Sequence, residues 1–319
     1  MTTIRSSAPI RICDTGGWTD TWFARTGTVF SIAVAPRVEV RIEATEGDGV
    51  DLVTPDAPGP HPLLEAAIAS AAVPGGVALG IEIRSGVPAG AGTGTSAAVV
   101  VALLAALDAV AGRPGDPLAL ARAAHRVETD LLGQESGVQD QLAAAFGGIN
   151  RFDVEYPDAR VHALVPPAGL EERLVLVVLG RPHRSSEVHR EVIAGGVDEA
   201  ILDRLRAAAR RSAAACASSD LDELARAMVD NHEAQRALHR GLISAEADEV
   251  VATARAAGAV GWKVNGAGGD GGSLTLLAGA DVDARRRLAD AIAAGGVGTV
   301  VPVTLAAKGV EVSVSNPVR

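Results

Sequence analysis

A glycine-rich turn stands directly before the most apolar helix candidate in the chain, and its residue types could bind phosphate. The segment GVPAGAGTGTSAA alternates glycine with small residues over positions 90–94 and then presents two hydroxyls, Thr95 and Ser96. The helix predicted after it has no charged residue before Asp108, so we expect it to be buried on all sides. Its first turn leaves about four backbone N–H groups without helical partners, and the helix dipole adds roughly half a positive charge there. An anion would satisfy those donors, and glycine lets backbone approach it closely.

A glycine-rich turn before a helix can also be a simple capped turn, a P-loop or a dinucleotide loop. A turn capped by a Ser or Thr hydroxyl needs no ligand. A P-loop requires a lysine, and none lies near this turn. A GxGxxG match occurs at Gly266, Gly268 and Gly271, but the strand-like SLTLLA follows it, which argues against a dinucleotide site. The residues favour a phosphate site of another type.

Two carboxylates could complete such a site. A net-acidic chain that binds a polyphosphate needs a metal ion, and Mg²⁺ prefers oxygen ligands. Glu128 lies on a predicted helix, where the sequence alone favours a solvated face paired with Arg122 or Arg126. Asp140 follows a glycine turn near a helix start, where the helix dipole favours an acidic residue without any catalytic role.

Composition excludes several classes of partner. The net charge of -10, with only three Trp, one Tyr and four Phe in 319 residues, argues against nucleic acid and anionic membranes. Cys13 and Cys216 provide neither a disulfide framework nor a metal cluster. No signal segment or membrane-spanning run is recognisable, so a cytoplasmic protein is expected.

The elements that must position these residues alternate between strand and helix patterns. The first 55 residues are predicted to be mostly strands, with apolar residues alternating at Val38, Val40 and Ile42. Three helices are predicted between the glycine turn and position 148. A change in composition places a domain boundary near Pro166, and the β-β-α-β pattern at the end predicts a small α/β sandwich.

Three of these segments resemble the motifs of the GHMP small-molecule kinases. PAGAGTGTSAA is similar to the family's nucleotide-phosphate loop, with Thr93 in place of a leucine and Thr95 in place of the first serine. APIRICDTGGWTD resembles the N-terminal motif of the sugar-kinase branch, and GWKVNGAGGDGGS resembles the third, glycine-rich motif. GGWTDT, GVQDQLAAAFGGIN and RPHRSSEVHREV are most similar to the fucokinase and heptose-phosphate kinase group.

The resemblance implies a two-domain α+β fold. An N-terminal domain of the ribosomal S5 domain 2-like type is expected over residues 1–165, and a C-terminal ferredoxin-like α/β sandwich over residues 166–319. The implied reaction is transfer of the γ-phosphoryl group of ATP, with Mg²⁺, to a sugar hydroxyl in the cleft between them.

The implied acceptor is the anomeric C1 hydroxyl of a hexose, 6-deoxyhexose or heptose, free or phosphorylated. A cyclitol or a mevalonate-like alcohol is the alternative acceptor, and a non-catalytic nucleotide-binding regulator is the alternative of another class. A monomer or homodimer is expected, with no nucleic-acid or membrane partner.

The resemblance also implies roles for single residues. Asp140 is the candidate catalytic aspartate, paired with Arg11, and whether it acts as a base or as an electrostatic anchor stays open. Ser96 and Glu128 are the candidate Mg²⁺ ligands. The residues implied for ATP binding are Pro88, Gly90, Ala91, Gly92, Thr93, Gly94, Thr95, Ser96 and Ala97. Those implied for the substrate are Arg11, Gly17, Trp18, Asp20, Gly137, Asp140, Gly268 and Gly269.

Two further expectations concern the sugar. Gly17 and Trp18 stand where galactokinase proper has glutamate and histidine, which argues against galactose. Arg184, Ser185 and Ser186 form a polar cluster that either holds a sugar hydroxyl or a distal phosphate, or simply begins a helix.

Overall fold

The computed structural model describes residues 1–56, 59–88, 90–113, 115–180, 190 and 192–315. The strands of these residues form two sheets, of eight and four strands. The strands are β1 Thr2–Thr15, β2 Thr26–Glu46, β3 Val50–Val53, β4 Val77–Ser85, β5 Ile149–Glu155, β6 Asp158–Leu164, β7 Leu174–Val178, β8 Ala259–Val264, β9 Ser273–Ala278, β10 Thr299–Val301, β11 Thr304–Leu305 and β12 Glu311–Ser315. The helices are α1 Pro62–Ser70, α2 Thr95–Val110, α3 Pro117–Arg126, α4 Gln139–Phe146, α5 Leu170–Arg173, α6 Glu199–Ser218, α7 Leu221–Leu238, α8 Ala245–Ala256 and α9 Ala284–Gly295.

The first sheet is built around the long antiparallel pair β1–β2. Its main path runs β12-β1-β2-β4-β3, while β5 and β11 also pair with β2 and β6 pairs with β5. The alternation at Val38, Val40 and Ile42 lies in β2, and all three side chains are buried, as the period of two requires. The β1–β2 register shifts between Ile12 and Thr15, so an irregularity in the ladder contains Cys13 and Asp14.

Helix α2 fills the core beneath the first sheet. It is buried nearly all round, as predicted from its uncharged sequence. Leu103 and Leu107 are fully buried, and each contributes about 2 kcal/mol by leaving water. This helix is therefore fixed by packing, and its N-terminus is held in a constant place.

The second sheet packs on both of its faces. Its order is β10-β7-β9-β8. Leu176 and Leu277 belong to a core shared with Ile12 of the first sheet and with Leu224 and Met228 of α7. A separate core lies between this sheet and helices α8 and α9.

The last strands leave the second sheet. β11 pairs with β2, and β12 pairs with β1 from Thr3 to Ser7, so residues 304–315 extend the first sheet. The expected second domain, residues 166–319, thus includes two strands that pair with the first sheet. The sequence does not mark the return, because all five β12 residues are exposed and show no burial pattern. Within the described ranges, none of the helices has the length and apolarity needed to cross a bilayer.

Candidate active site

A cavity of about 390 Å³ lies where the start of α2, the end of β1, the start of α4 and the loop after β8 meet. The predicted residues that line it are Arg11, Trp18, Asp20, Gly90, Ala91, Gly92, Gly94, Thr95, Ser96, Ala97, Glu128, Gly137 and Asp140. Elements far apart in sequence thus bring most of the predicted residues to one place.

Five predicted residues do not line this cavity. Pro88 borders a neighbouring cavity. Thr93 is buried, and its carbonyl accepts a hydrogen bond from the Arg11 amide at 2.9 Å. Gly17 packs near Asp14, since a Cβ there would lie 3.1 Å from the carboxylate. Gly268 and Gly269 lie against the carbonyl of Leu242 and are not part of the cavity wall.

The polar cluster expected at positions 184–186 lies outside the residues that the structure describes.

The turn before α2 has the backbone of an anion-binding loop. Gly90, Gly92 and Gly94 have φ values of 76°, 69° and 68°, a left-handed conformation that glycine adopts without strain. Gly94 is the N-cap of α2, and no side chain caps the helix. The hydroxyl of Thr95 pairs with that of Thr93 at 3.0 Å. A turn capped by a Ser or Thr side chain is therefore not the arrangement found.

The glycine loop lies directly against Arg11 and Asp140. A Cβ on Gly94 would lie 3.2 Å from Cγ of Arg11 and 3.3 Å from Cγ of Asp140. A Cβ on Gly92 would come within 3.0 Å of the Asn265 carbonyl oxygen. A side chain at either position would crowd these neighbours, so glycine is also what allows the loop to pack this closely.

Arg11 holds Asp140 with two parallel hydrogen bonds. Nε donates to Oδ1 at 2.8 Å and Nη2 donates to Oδ2 at 3.1 Å, while Nη1 donates to the Gly92 carbonyl. This fork geometry fixes the plane of the carboxylate. Burial alone would lower the pKa of Arg11, but the charges of Asp14 and Asp140 raise it above its ordinary value. The guanidinium therefore stays charged.

Asp20 lies in a closely fitted polar niche. Its Oδ2 accepts a hydrogen bond from the backbone N–H of Gln139 at 3.0 Å. A Cβ on Gly137 would lie only 2.1 Å from the same oxygen, so a residue with a side chain at position 137 would clash with the carboxylate. Burial raises the pKa of Asp20 to about 6, and the hydrogen bond from Gln139 offsets part of that shift.

Glu128 is buried rather than solvated. It lies in a π-helical turn, Val127–Leu131, which follows α3 and redirects the side chain toward the cavity. Its Oε2 accepts hydrogen bonds from Ser136 at 2.7 Å and Gln141 at 2.8 Å, and burial raises its pKa to about 7. The alternative of a solvated face paired with Arg122 does not hold, because Arg122 pairs with Asp158 at 2.7 Å.

The donor set around Glu128 fits a metal that also binds phosphate. Among the described residues, no group of three or more His, Cys, Asp or Glu side chains could hold a metal ion. Mg²⁺ usually keeps several waters and takes one or two protein carboxylates together with substrate phosphates. The buried carboxylate of Glu128 and the hydroxyl of Ser96 in the first turn of α2 are a donor set of this kind.

Two functional candidates were missed in the sequence. Asp14 and Lys263 form an ion pair of 3.0 Å, and both side chains are essentially inaccessible. Asp14 also accepts hydrogen bonds from the Gly266 amide. Each charge interrupts an otherwise apolar strand pattern, which indicates that it has a buried partner. The sequence does not show that the two residues, 249 positions apart, are partners of each other.

Two family profiles match parts of this chain. Residues 63–148 match the profile of the GHMP kinases N terminal domain, and residues 212–296 match that of the GHMP kinases C terminal.

Three curated relatives have similar identities. The mevalonate kinase of Methanothermobacter thermautotrophicus is 31% identical over 205 residues, which is 61% of this chain and 63% of that protein. The mevalonate kinase of Pyrococcus horikoshii is 32% identical over 244 residues, covering 72% of this chain and 67% of its own. The galactokinase of Mycobacterium bovis is 31% identical over 244 residues, or 66% of each chain. The chain thus spans slightly less than two thirds of the first of these relatives.

Solved structures share the whole fold. A D-glycero-D-manno-heptose 1-phosphate kinase from Bacteriodes thetaiotaomicron has a TM-score of 0.74 at 21% identity, covering 97% of this chain and 98% of its own. The L. major mevalonate kinase in complex with R-mevalonate has a TM-score of 0.75 at 21% identity, covering 94% and 95%. The predicted two-domain α+β fold is confirmed. By fold, by the two domain profiles and by a relative matched over two thirds of its length, the chain belongs to the GHMP kinase family.

Proposed function

We propose that this protein transfers the γ-phosphoryl group of ATP to a hydroxyl group of a small molecule, and that the acceptor is a sugar. One observation carries the proposal. The uncapped N-terminus of α2 and the carboxylate of Asp140, held by Arg11, open onto the same cavity. An anion-binding helix end and an oriented carboxylate are two of the groups that phosphoryl transfer to an alcohol uses.

The nucleotide fits along the glycine loop. The backbone N–H groups at the start of α2 would bind the phosphates. A neighbouring cavity of about 600 Å³ shares Thr95 and Ser96 with the site, and its wall includes the apolar side chains of Leu63, Ile83 and Val99. A planar base and its ribose would lie in this second cavity, with the phosphates extending toward Asp140.

Ser96 and Glu128 would hold Mg²⁺ beside the phosphates. Bound there, Mg²⁺ would neutralise negative charge on the transferring group. The Ser136 and Gln141 hydrogen bonds fix one oxygen of Glu128. Within the described residues Oε1 accepts no hydrogen bond, so it is the oxygen available to a cation.

Asp140 would orient the acceptor. Its carboxylate would accept a hydrogen bond from the attacking hydroxyl, and the Arg11 fork keeps it aimed at the glycine loop. Alignment of the two reactants supplies much of the rate in phosphoryl transfer. Arg11 also places positive charge next to the site of transfer.

The acceptor pocket favours a polyol. Asp20 offers a buried carboxylate to hydroxyl groups, and Trp18 supplies an apolar wall beside it. The galactokinase relative supports a sugar, and we propose its anomeric hydroxyl as the site of transfer. The mevalonate kinase relatives, at equal identity, make a non-sugar alcohol the second candidate.

The test is transfer of phosphate from ATP with Mg²⁺ to a panel of free sugars, sugar phosphates, cyclitols and mevalonate, with the product position read by NMR. Turnover of only non-sugars would refute the sugar assignment, and no turnover on any acceptor would favour a nucleotide-binding regulator.

The role of Asp140 is tested separately with Asp140→Asn. We expect kcat to fall about 1,000-fold with ATP affinity retained, because the neutral amide loses the ion pair with Arg11 that holds the side chain in place, and its oxygen is a weaker acceptor for the attacking hydroxyl. Asp51→Asn, on the exposed strand β3, is the matched control. Equal turnover by Asp140→Asn and the parent protein would remove Asp140 from this role.

A further inference from the structure

A second buried ion pair lies directly behind Arg11. Asp14 comes from the irregular end of β1 and Lys263 from β8 of the second sheet, and their side chains are 0% and 1% exposed. Nζ of Lys263 donates to Oδ1 of Asp14 at 3.0 Å and to the Val264 carbonyl at 2.6 Å. The Gly266 amide donates to the same carboxylate at 3.0 Å and 3.2 Å. Nothing in the proposed reaction uses this pair directly.

Arg11 lies between two carboxylates. Its Nη2 is 3.1 Å from Oδ2 of Asp140 and 4.0 Å from Oδ2 of Asp14. Asp14 is fully buried, whereas the side chain of Asp140 is 28% exposed. Opposite charges attract more strongly where water is excluded. An Asp14 charge without its own partner would therefore compete with Asp140 for the guanidinium.

We infer that Lys263 is a positioning residue, which neutralises Asp14 so that Arg11 pairs with Asp140. The inference rests on the proposed function, in which Asp140 orients the acceptor. Because Nη1 of Arg11 also donates to the Gly92 carbonyl, a turn of the guanidinium toward Asp14 would disturb the carboxylate and the phosphate loop together. The lysine thus sets the geometry of both reactants without touching either.

The ionisation of Asp14 depends on its neighbours. Burial alone would raise the pKa of Asp14, but Arg11 and Lys263 lower it below its ordinary value. With Lys263 replaced by a neutral side chain, one of the two cations that oppose the effect of burial is lost, so the pKa of Asp14 rises. The titratable and charged groups around this cluster, on its own and neighbouring elements, are Arg11, Cys13, Asp20, Asp140, His232 and Lys263.

The sign of the pH dependence follows. In Lys263→Met, Asp14 is neutral at low pH and leaves Arg11 with Asp140. As pH rises Asp14 ionises and draws Arg11 away. We expect the ratio of kcat in this variant to kcat in the parent protein to fall about tenfold as pH rises through the range in which Asp14 of the variant ionises.

The double variant Asp14→Asn/Lys263→Met supplies the rescue. It removes the competing charge, so we expect its kcat at about pH 9 to exceed that of Lys263→Met by about tenfold. A lysine with only a structural role would give a loss that is the same at every pH. A pH-independent kcat ratio, or no gain from the second substitution, would overturn the inference. If Lys263→Met gives no folded protein, the double variant decides, and a kcat more than about 100-fold below the parent would overturn it.

A crystal structure of Lys263→Met at about pH 9 tests the inference without any acceptor. We expect Arg11 to have left Asp140 for Asp14. Retention of both Arg11–Asp140 hydrogen bonds would refute the inference even if the protein proved to be a kinase. A displaced Arg11 in a protein that transfers no phosphate would instead refute the proposed function alone.

Discussion

Replacing Asp20 by asparagine should raise the free energy of unfolding and weaken binding of the acceptor. The carboxylate is buried, and its pKa is raised from 3.8 to about 6. The native state therefore binds a proton more tightly than the unfolded chain does. The free energy of unfolding contributed by this group is fully present below about pH 4 and is lost as pH rises through about 6.

The size of the effect follows from the shift. About two pKa units at about 1.4 kcal/mol each give an upper figure of about 3 kcal/mol. Asparagine keeps an oxygen for the Gln139 amide and carries no charge to bury. We expect Asp20→Asn to unfold about 5 °C above the parent at about pH 8 and at the same temperature at about pH 4.

Thermal unfolding of variant and parent over this pH range is the assay, and the difference between the two cancels other titrating groups. Asp51→Asn, which changes an exposed aspartate, should leave the difference near zero. A difference independent of pH, or a variant less stable at about pH 8, would refute the reasoning. The same variant should lose acceptor affinity, because the buried carboxylate is the proposed hydroxyl ligand.

Two further substitutions test the walls of the site. Gly137→Ala should lower the free energy of unfolding by about 1–3 kcal/mol and weaken acceptor binding, because its Cβ would lie 2.1 Å from the Asp20 carboxylate. Gly75→Ala, with no atom within 4 Å, is its control in thermal unfolding, and equal stabilities of the two variants would contradict the close approach. Glu128→Gln should raise the Mg²⁺ concentration needed for half-maximal rate about tenfold, and an unaltered Mg²⁺ titration would remove Glu128 as a ligand.

The glycine-rich turn and the helix after it were predictable because their signals are local. Glycine spacing, two hydroxyls and an uncharged run stand within residues 86–107, and the helix predicted there is found at Thr95–Val110. The Arg11–Asp140 pair, by contrast, came only from the resemblance to a family, since no local pattern links residues 129 positions apart.

The remaining contacts depend on tertiary packing. Burial of Glu128 reflects the π-helical turn and the approach of Gln141, neither of which leaves a periodic signal. The Asp14–Lys263 pair joins two strands of different sheets, so its partners are fixed only once the domains pack. A lone charge within a buried strand indicates that a partner exists, but not which residue it is.

The chain returns to its first sheet after it has built the second. The backbone crosses between the sheets twice, at residues 165–173 and again at 302–303. Ile12 of the first sheet also shares a hydrophobic core with Leu176 and Leu277 of the second, so side-chain packing joins the sheets as well as the backbone. A single proteolytic cut at either crossing would therefore leave the second sheet attached to the first.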